Sequence, residues 1–259
     1  MDIDNRPMLF VVCYNKGSDS QLGHEQISEV AAEGSEISGR FEPLERSSLS
    51  QRAYEEIRAY LMRGRLKPGQ RLVSRTLASE LGISTTPVRE ALWRLASEQA
   101  LELDQRNTVI VPVLTPARYE EIRDLRVELE GMAARRAAPA ASARDVEDLA
   151  TLHERHVAAE TERRFDEALE YNEQFHFALC RLSGLPTLTK MVETLWLQCG
   201  PLLNHFYAGS AGVWSRSQHP HLKVIGCLAR NDGDGARAAI ALDIVEGARP
   251  ILAKLVGDI

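Results

Sequence analysis

The sequence predicts a mainly α protein in two parts: a small helix-and-hairpin unit, then an all-α antiparallel helical bundle. Three observations carry that expectation. A tight turn leads into a capped, one-sided helix over residues 82–95. Two short strand-like runs follow, 101–104 and 108–111. Beyond Thr115-Pro116 no strand-like run persists, and long amphipathic segments succeed one another.

In the first part, Ala53, Ile57 and Leu61 hold a helical period through 50–63, and Lys67-Pro68-Gly69 breaks it. A second short helix, 74–81, is expected to bury Leu77 and Leu81. Gly82 suits a left-handed helix stop, Ser84 or Thr85 can cap the next helix, and Pro87 fits its first turn. Val88, Leu92 and Leu95 recur at i, i+4 and i+7, so one stripe packs inward and Arg89 and Arg94 face out. Gln105-Arg106-Asn107 forms the tip between the two strands. Three helices and a β-hairpin make a winged helix-turn-helix, and a capped helix with outward arginines after a tight turn is what major-groove reading of DNA requires.

Gly64-Arg65-Leu66-Lys67-Pro68-Gly69, Leu77-Ala78-Ser79-Glu80-Leu81-Gly82-Ile83-Ser84 and Thr86-Pro87-Val88-Arg89-Glu90-Ala91-Leu92 stand in an order that resembles the N-terminal signature of GntR-family repressors, over about residues 47–114. The resemblance implies that Arg75 and Arg89 contact double-stranded operator DNA, with Arg94, Thr85, Thr86 and the wing residue Arg106 beside them. Two positions depart from the family pattern. Thr85 stands where an arginine is usual, which removes a phosphate or guanine contact and makes borrowing an operator sequence unsafe. Asn107 stands where glycine is common, a mild change because Asn tolerates positive φ.

At 259 residues the chain has room for two modest domains. Its net charge of −6 is unevenly spread: residues 1–46 hold 4 basic and 9 acidic side chains, 47–115 hold 10 and 7, and 116–259 hold 17 and 21. The one positive segment carries the helix-turn-helix pattern, the electrostatic footprint expected of a DNA-binding domain. Residues 1–46, acidic and without sustained period, are expected to be a disordered extension. Cys13, Cys180, Cys199 and Cys227 are widely separated, which fits reduced thiols in a cytoplasmic protein better than a disulfide framework. The apolar run 8–13 is too short to span a membrane.

The second part, 116–256, is expected to form six helices: 116–138, 143–162, 164–182, 186–207, 212–230 and 234–256. Thr115 and Ser142 are placed to cap the first two, and the apolar stripes imply a single core. Asn172 and His176 lie at i, i+4 and share a helical face. His221 opens a later apolar stretch, and Asp243 lies one turn from the small residues Ala239 and Gly247. Converging Asn, His, His and Asp side chains suit a divalent cation of the zinc, nickel or manganese type.

Leu125-Arg126 with Leu129-Glu130, Asn172 with Phe175-His176, Gly184 with Pro186, and His221 with Ile225, Leu228 and Asp232 are similar to the C-terminal FCD-type ligand-binding domain of the FadR subfamily, in the six-helix VanR-like form. In many such relatives an Asp or Asn and three histidines hold a metal whose coordination a small carboxylate effector completes. By that resemblance Asn172, His176 and His221 take ligand positions, Asp243 stands where the third histidine would be, and Pro220 replaces a common glutamate. The alternative left open is that His176 and His221 hydrogen-bond the effector directly. Arg126 either pairs with a carboxylate effector in the pocket or forms an intrahelical salt bridge with Glu130. His205 lines the pocket or caps helical carbonyls. His153 and His156, in a charged helix, are expected at the surface, as is His219, which is an alternative metal ligand by its proximity to His221; Trp196 and Trp214 are expected in the core or at an interface.

The reading is a non-enzymatic, homodimeric transcriptional repressor that binds a pseudo-palindromic operator under control of a small organic acid. Two rivals are an effector-independent DNA-binding protein, in which the bundle only dimerises, and a metal-dependent hydrolase. No general base stands beside the candidate metal set in sequence, which weighs against the second.

Overall fold

The computed structural model describes residues 49–207 and 219–257. The extension 1–46, with Cys13 and His24, and the segment holding Trp214 lie outside the described residues, as does the side chain of His205. The chain opens with α1 (Leu49–Met62), β1 (Arg71–Leu72), α2 (Ser74–Leu81), α3 (Thr85–Ser97), β2 (Glu102–Leu103) and β3 (Val109–Ile110). It continues with α4 (Pro116–Ala137), α5 (Ala143–Thr161), α6 (Phe165–Leu182), α7 (Pro186–Tyr207), α8 (Pro220–Ala229) and α9 (Gly233–Gly257).

The helix-turn-helix forms for the local reasons its sequence supplies. Gly82 ends α2 in the left-handed region at φ 66°, where a Cβ would be strained. Ser84 takes the N-cap position of α3 in extended backbone, although its hydroxyl makes no capping bond, and Pro87 falls in the first turn. Val88, Leu92 and Leu95 are fully buried, whereas Leu77 and Leu81 are half-buried and Ala78 is the buried residue of α2. The hairpin pairs Leu103 with Val109 and Glu102 with Ile110. Asp104 closes its tip by accepting the backbone N–H groups of Arg106 and Thr108, both at 2.8 Å, and Asn107 adopts φ 57°. β1, which no sequence pattern marks, adds antiparallel to β3 and makes the order β1-β3-β2. Two residues carry no readable period, so only their tertiary pairing defines them.

In the second part Thr115 caps α4 through its side chain, and Ser142 with Asp145 forms a capping box on α5. α4 lies along α9, α5 packs on α6 and α8, and α7 packs on α4, α6 and α1. The expected helix 212–230 is described as the shorter α8. The apolar residues do not form one core. Ala134, Leu149, Phe175, Leu179, Val224 and Ile240 belong to one cluster. Trp196, Cys199 and Leu202 of α7 belong to another, continuous with Leu61, Leu92 and Leu95 of the helix-turn-helix. A polar chamber touches both clusters, through Tyr119, Leu169 and Trp196 on one side and Ile244 on the other.

The two parts meet where α1 crosses α7 at Gly200. A Cβ there would stand 2.3 Å from the Leu61 carbonyl oxygen, so only glycine permits this approach. Three of the positive segment's arginines are spent at the same junction: Arg58 on Glu193, Arg63 on Glu170 and Arg65 on Asp166.

Candidate DNA-reading surface and buried polar chamber

On the helix-turn-helix, Arg75, Thr86, Arg89 and Arg106 are exposed and Thr85 half-exposed. The arginine side chains of Arg75, Arg89 and Arg106 have no ion-pair partner among the described residues. Arg94 differs. Its guanidinium lies 3.7 Å from the Tyr54 ring centroid, donates to Gln51 Oε1 at 2.8 Å and pairs with Glu98 Oε1 at 3.1 Å. It is exposed but tethered to α1, so the structure separates it from the other arginines of the set. Sequence spacing could not show this, because Tyr54 and Gln51 reach it only through the packing of α1 on α3.

The chamber is a cavity of about 100 Å³ lined by Arg126, His156, Glu160, Asn172, His176, Trp196, His219 and Asp243, among others. Its floor is a chain of buried charges. Arg126 Nε donates to Glu130 Oε1 at 2.7 Å, and the guanidinium stacks 4.2 Å from the Trp196 ring centroid. The Trp196 indole N–H donates to the same carboxylate oxygen at 3.1 Å. Glu130 Oε2 meets His176 Nδ1 at 2.5 Å, and His176 Nε2 meets Asp243 Oδ2 at 3.1 Å. Both alternatives for Arg126 are therefore present: it pairs with Glu130 within α4 and it lines the cavity.

These contacts set the protonation states. Burial alone would lower His176, but the flanking Glu130 and Asp243 carboxylates push it up to about 9. Burial would raise Glu130, but Arg126 and His176 hold it at about 2, and His221 and His176 likewise keep Asp243 well below the carboxylate range. His153 and His219 are pushed down to about 4 by burial, and His221 is also lowered by burial.

The donor atoms of His176, His221 and Asp243 lie within 4.8 Å of one another, as a shared cation requires. Neither ring nitrogen of the fully buried His221 has a hydrogen-bond partner among the described residues; its Nε2 is 3.6 Å from Asp243 Oδ2. A Glu130 carboxylate behind His176 is the outer-shell support that metal-bound histidines commonly have. These residues fit a divalent cation. Asn172 lines the same cavity, and Gly247 lines it rather than meeting another helix.

Three histidines depart from expectation. His153, His156 and His219 are 5%, 2% and 6% exposed, not surface residues. His153 and His156 sit among charged neighbours in sequence, but Glu154 and Arg155 between them are exposed, and the histidine face packs on α6 and α8. The reciprocal spacing His153, His156, Glu160 was the available signal. Cys180, Cys199 and Cys227 are buried thiols pushed up by burial, unlike reactive thiolates.

Residues 49–111 match the bacterial regulatory proteins of the gntR family, and 121–245 match the FCD domain. The chain is 33% identical over 196 residues to the HTH-type transcriptional regulator McbR of Escherichia coli K12, covering 75% of this chain and 88% of that protein. The solved E. coli McbR/YncC structure superposes with a TM-score of 0.75 at 30% identity, over 81% of this chain and 99% of that one. The gluconate operon transcriptional repressor of Bacillus subtilis is 37% identical over 87 residues, 34% of this chain and 35% of that protein. The chain belongs to the GntR family of DNA-binding transcriptional regulators, with a C-terminal FCD domain of the FadR subfamily. It is a regulator, not an enzyme. No helix among the described residues is long and apolar enough to cross a membrane.

Proposed function

We propose that the protein is a cytoplasmic, homodimeric repressor that releases a pseudo-palindromic operator when a small carboxylate enters the chamber. Arg75 and Arg89, with Thr85, Thr86 and the wing Arg106, contact the DNA, and Arg94 braces α3 against α1. The observation that carries the reading is α7. It walls the chamber with Trp196 and, one turn on, seats α1 at Gly200. A ligand that shifts Trp196 therefore moves the helix on which the DNA-binding unit rests. A coupling of about 1–3 kcal/mol is enough for induction.

Charge favours an acid together with a cation. Arg126 and His176 balance Glu130 and Asp243, so a lone carboxylate would add an uncompensated buried negative charge. His176, His221 and Asp243, with Asn172 on the wall, would hold a zinc-, nickel- or manganese-type ion once His176 releases its proton, and the net gain of one positive charge balances the acid. Arg126 then orients the acid through its guanidinium edge. The cavity has room for several waters' volume, which suits a compact acid.

Thermal melts of metal-supplemented protein against a panel of small organic acids test this. A raised Tm with one acid, paired with weaker binding to upstream DNA, is expected. Stabilisation by none of them, with DNA binding unchanged, would leave the effector-independent reading standing.

A further inference from the structure

The chamber contains a second donor group beside the Arg126–Asp243 chain, with His219 Nδ1 3.9 Å from Asp243 Oδ1. His156 and Glu160 stand four residues apart on one face of α5, and His219 enters from the segment just before α8. One ligand atom from each lies within 4.8 Å of the other two, and all three side chains line the cavity. None of them belongs to the His176, His221, Asp243 group, so the two groups share no donor. We propose that His156, Glu160 and His219 form a second site for a divalent transition-metal ion, open to the same cavity.

The surroundings are built for coordination. The carbonyl oxygen of Ala168 can only accept, so at 2.9 Å it fixes the His156 proton on Nδ1 and leaves the Nε2 lone pair aimed away. That Nε2 stands 3.6 Å from Glu160 Oε1. Donor–metal bonds of about 2.0–2.2 Å at tetrahedral angles place two donors about 3.3–3.6 Å apart, so closing the group from separations of up to 4.8 Å requires the donors to approach by up to about 1–1.5 Å. His219 Nδ1 accepts the His221 backbone N–H at a long 3.2 Å, and coordination through either ring nitrogen replaces that weak bond.

The donor chemistry sets the ion. Two imidazoles and one carboxylate suit Zn(II), Fe(II), Co(II) or Ni(II) and disfavour Mg(II) and Ca(II). Three protein donors leave coordination positions open, and here they face the cavity where a carboxylate or water can fill them. This site stands apart from the DNA-binding reading, which is measured separately.

The test uses the full chain, stripped with a chelator and titrated with Co(II), followed by visible absorption and by elemental analysis after gel filtration. Glu160→Gln is the main variant, because Glu160 is partly exposed and the change preserves shape. His156→Gln is the second variant and His176→Gln the control, and metal-free melts check that each is folded. Glu160→Gln and His156→Gln should each weaken one Co(II) binding event by about tenfold or more. His176→Gln should leave that event in place. The proposal is overturned if both α5 variants match wild type in Co(II) stoichiometry, affinity and spectrum, or if wild type takes up no Co(II). Loss of binding only in His176→Gln would place the ion on the His176, His221, Asp243 group and also overturn it.

Discussion

The two working regions use charge in opposite ways. On the helix-turn-helix, Arg75, Arg89 and Arg106 are exposed and have no ion-pair partner among the described residues, so their charge is available to DNA phosphates and is screened by salt. In the chamber, Arg126, Glu130 and His176 are buried, Asp243 is partly buried, and each is held by the next. The first region spends nothing on order before its partner arrives. The second is ordered in advance, so anything that enters must insert between groups that already satisfy one another. Arg94 marks the boundary: exposed like the first set, but tied down like the second.

The largest effect should come from breaking the buried chain. Glu130→Ala strands Arg126 and His176 without their shared carboxylate and should cost about 3–5 kcal/mol of stability by chemical denaturation. A loss under about 1 kcal/mol would mean that water compensates them and that the chamber is not preordered. Next comes the junction. Gly200→Ala drives a methyl group into the Leu61 carbonyl and should cost about 1–3 kcal/mol, while weakening the coupling between ligand and DNA. Unchanged stability and coupling would show that α1 does not rest on α7 in the way described.

A smaller effect is a stability profile in pH for chelator-treated protein. His153 and His219, lowered to about 4 by burial, contribute stability above pH 6.5 that is lost as pH falls from 6.5 towards 4. His176, raised to about 9, contributes below pH 6.5, and that stability is lost as pH rises towards 9. Their sum is a maximum near pH 6.5 in Tm. A curve rising monotonically through pH 9 would contradict the buried His176 ion pair.

Much of the first region was legible because its determinants are local. Gly82, the Val88-Leu92-Leu95 stripe and the Asn107 turn are each fixed by neighbours within a few residues. β1 and the tethering of Arg94 were not, since both depend on partners brought from elsewhere in the chain. In the bundle, Thr115 and Ser142 were readable as caps for the same local reason. The chamber was readable only in part. His176, His221 and Asp243 do converge, but the burial of His153, His156 and His219 follows from helix packing that charged sequence neighbours concealed. The division of the bundle core into two clusters likewise follows from the polar chamber, which no apolar period encodes.

The most direct test is fluorescence anisotropy of wild type and Arg89→Ala on the protein's own upstream DNA, titrated with salt, with Arg94→Ala as comparison. The account predicts sequence-specific, salt-sensitive binding. Arg89→Ala should lose about 1–3 kcal/mol of operator affinity, and Arg94→Ala should lose less. Equal, weak binding by wild type and Arg89→Ala would contradict it.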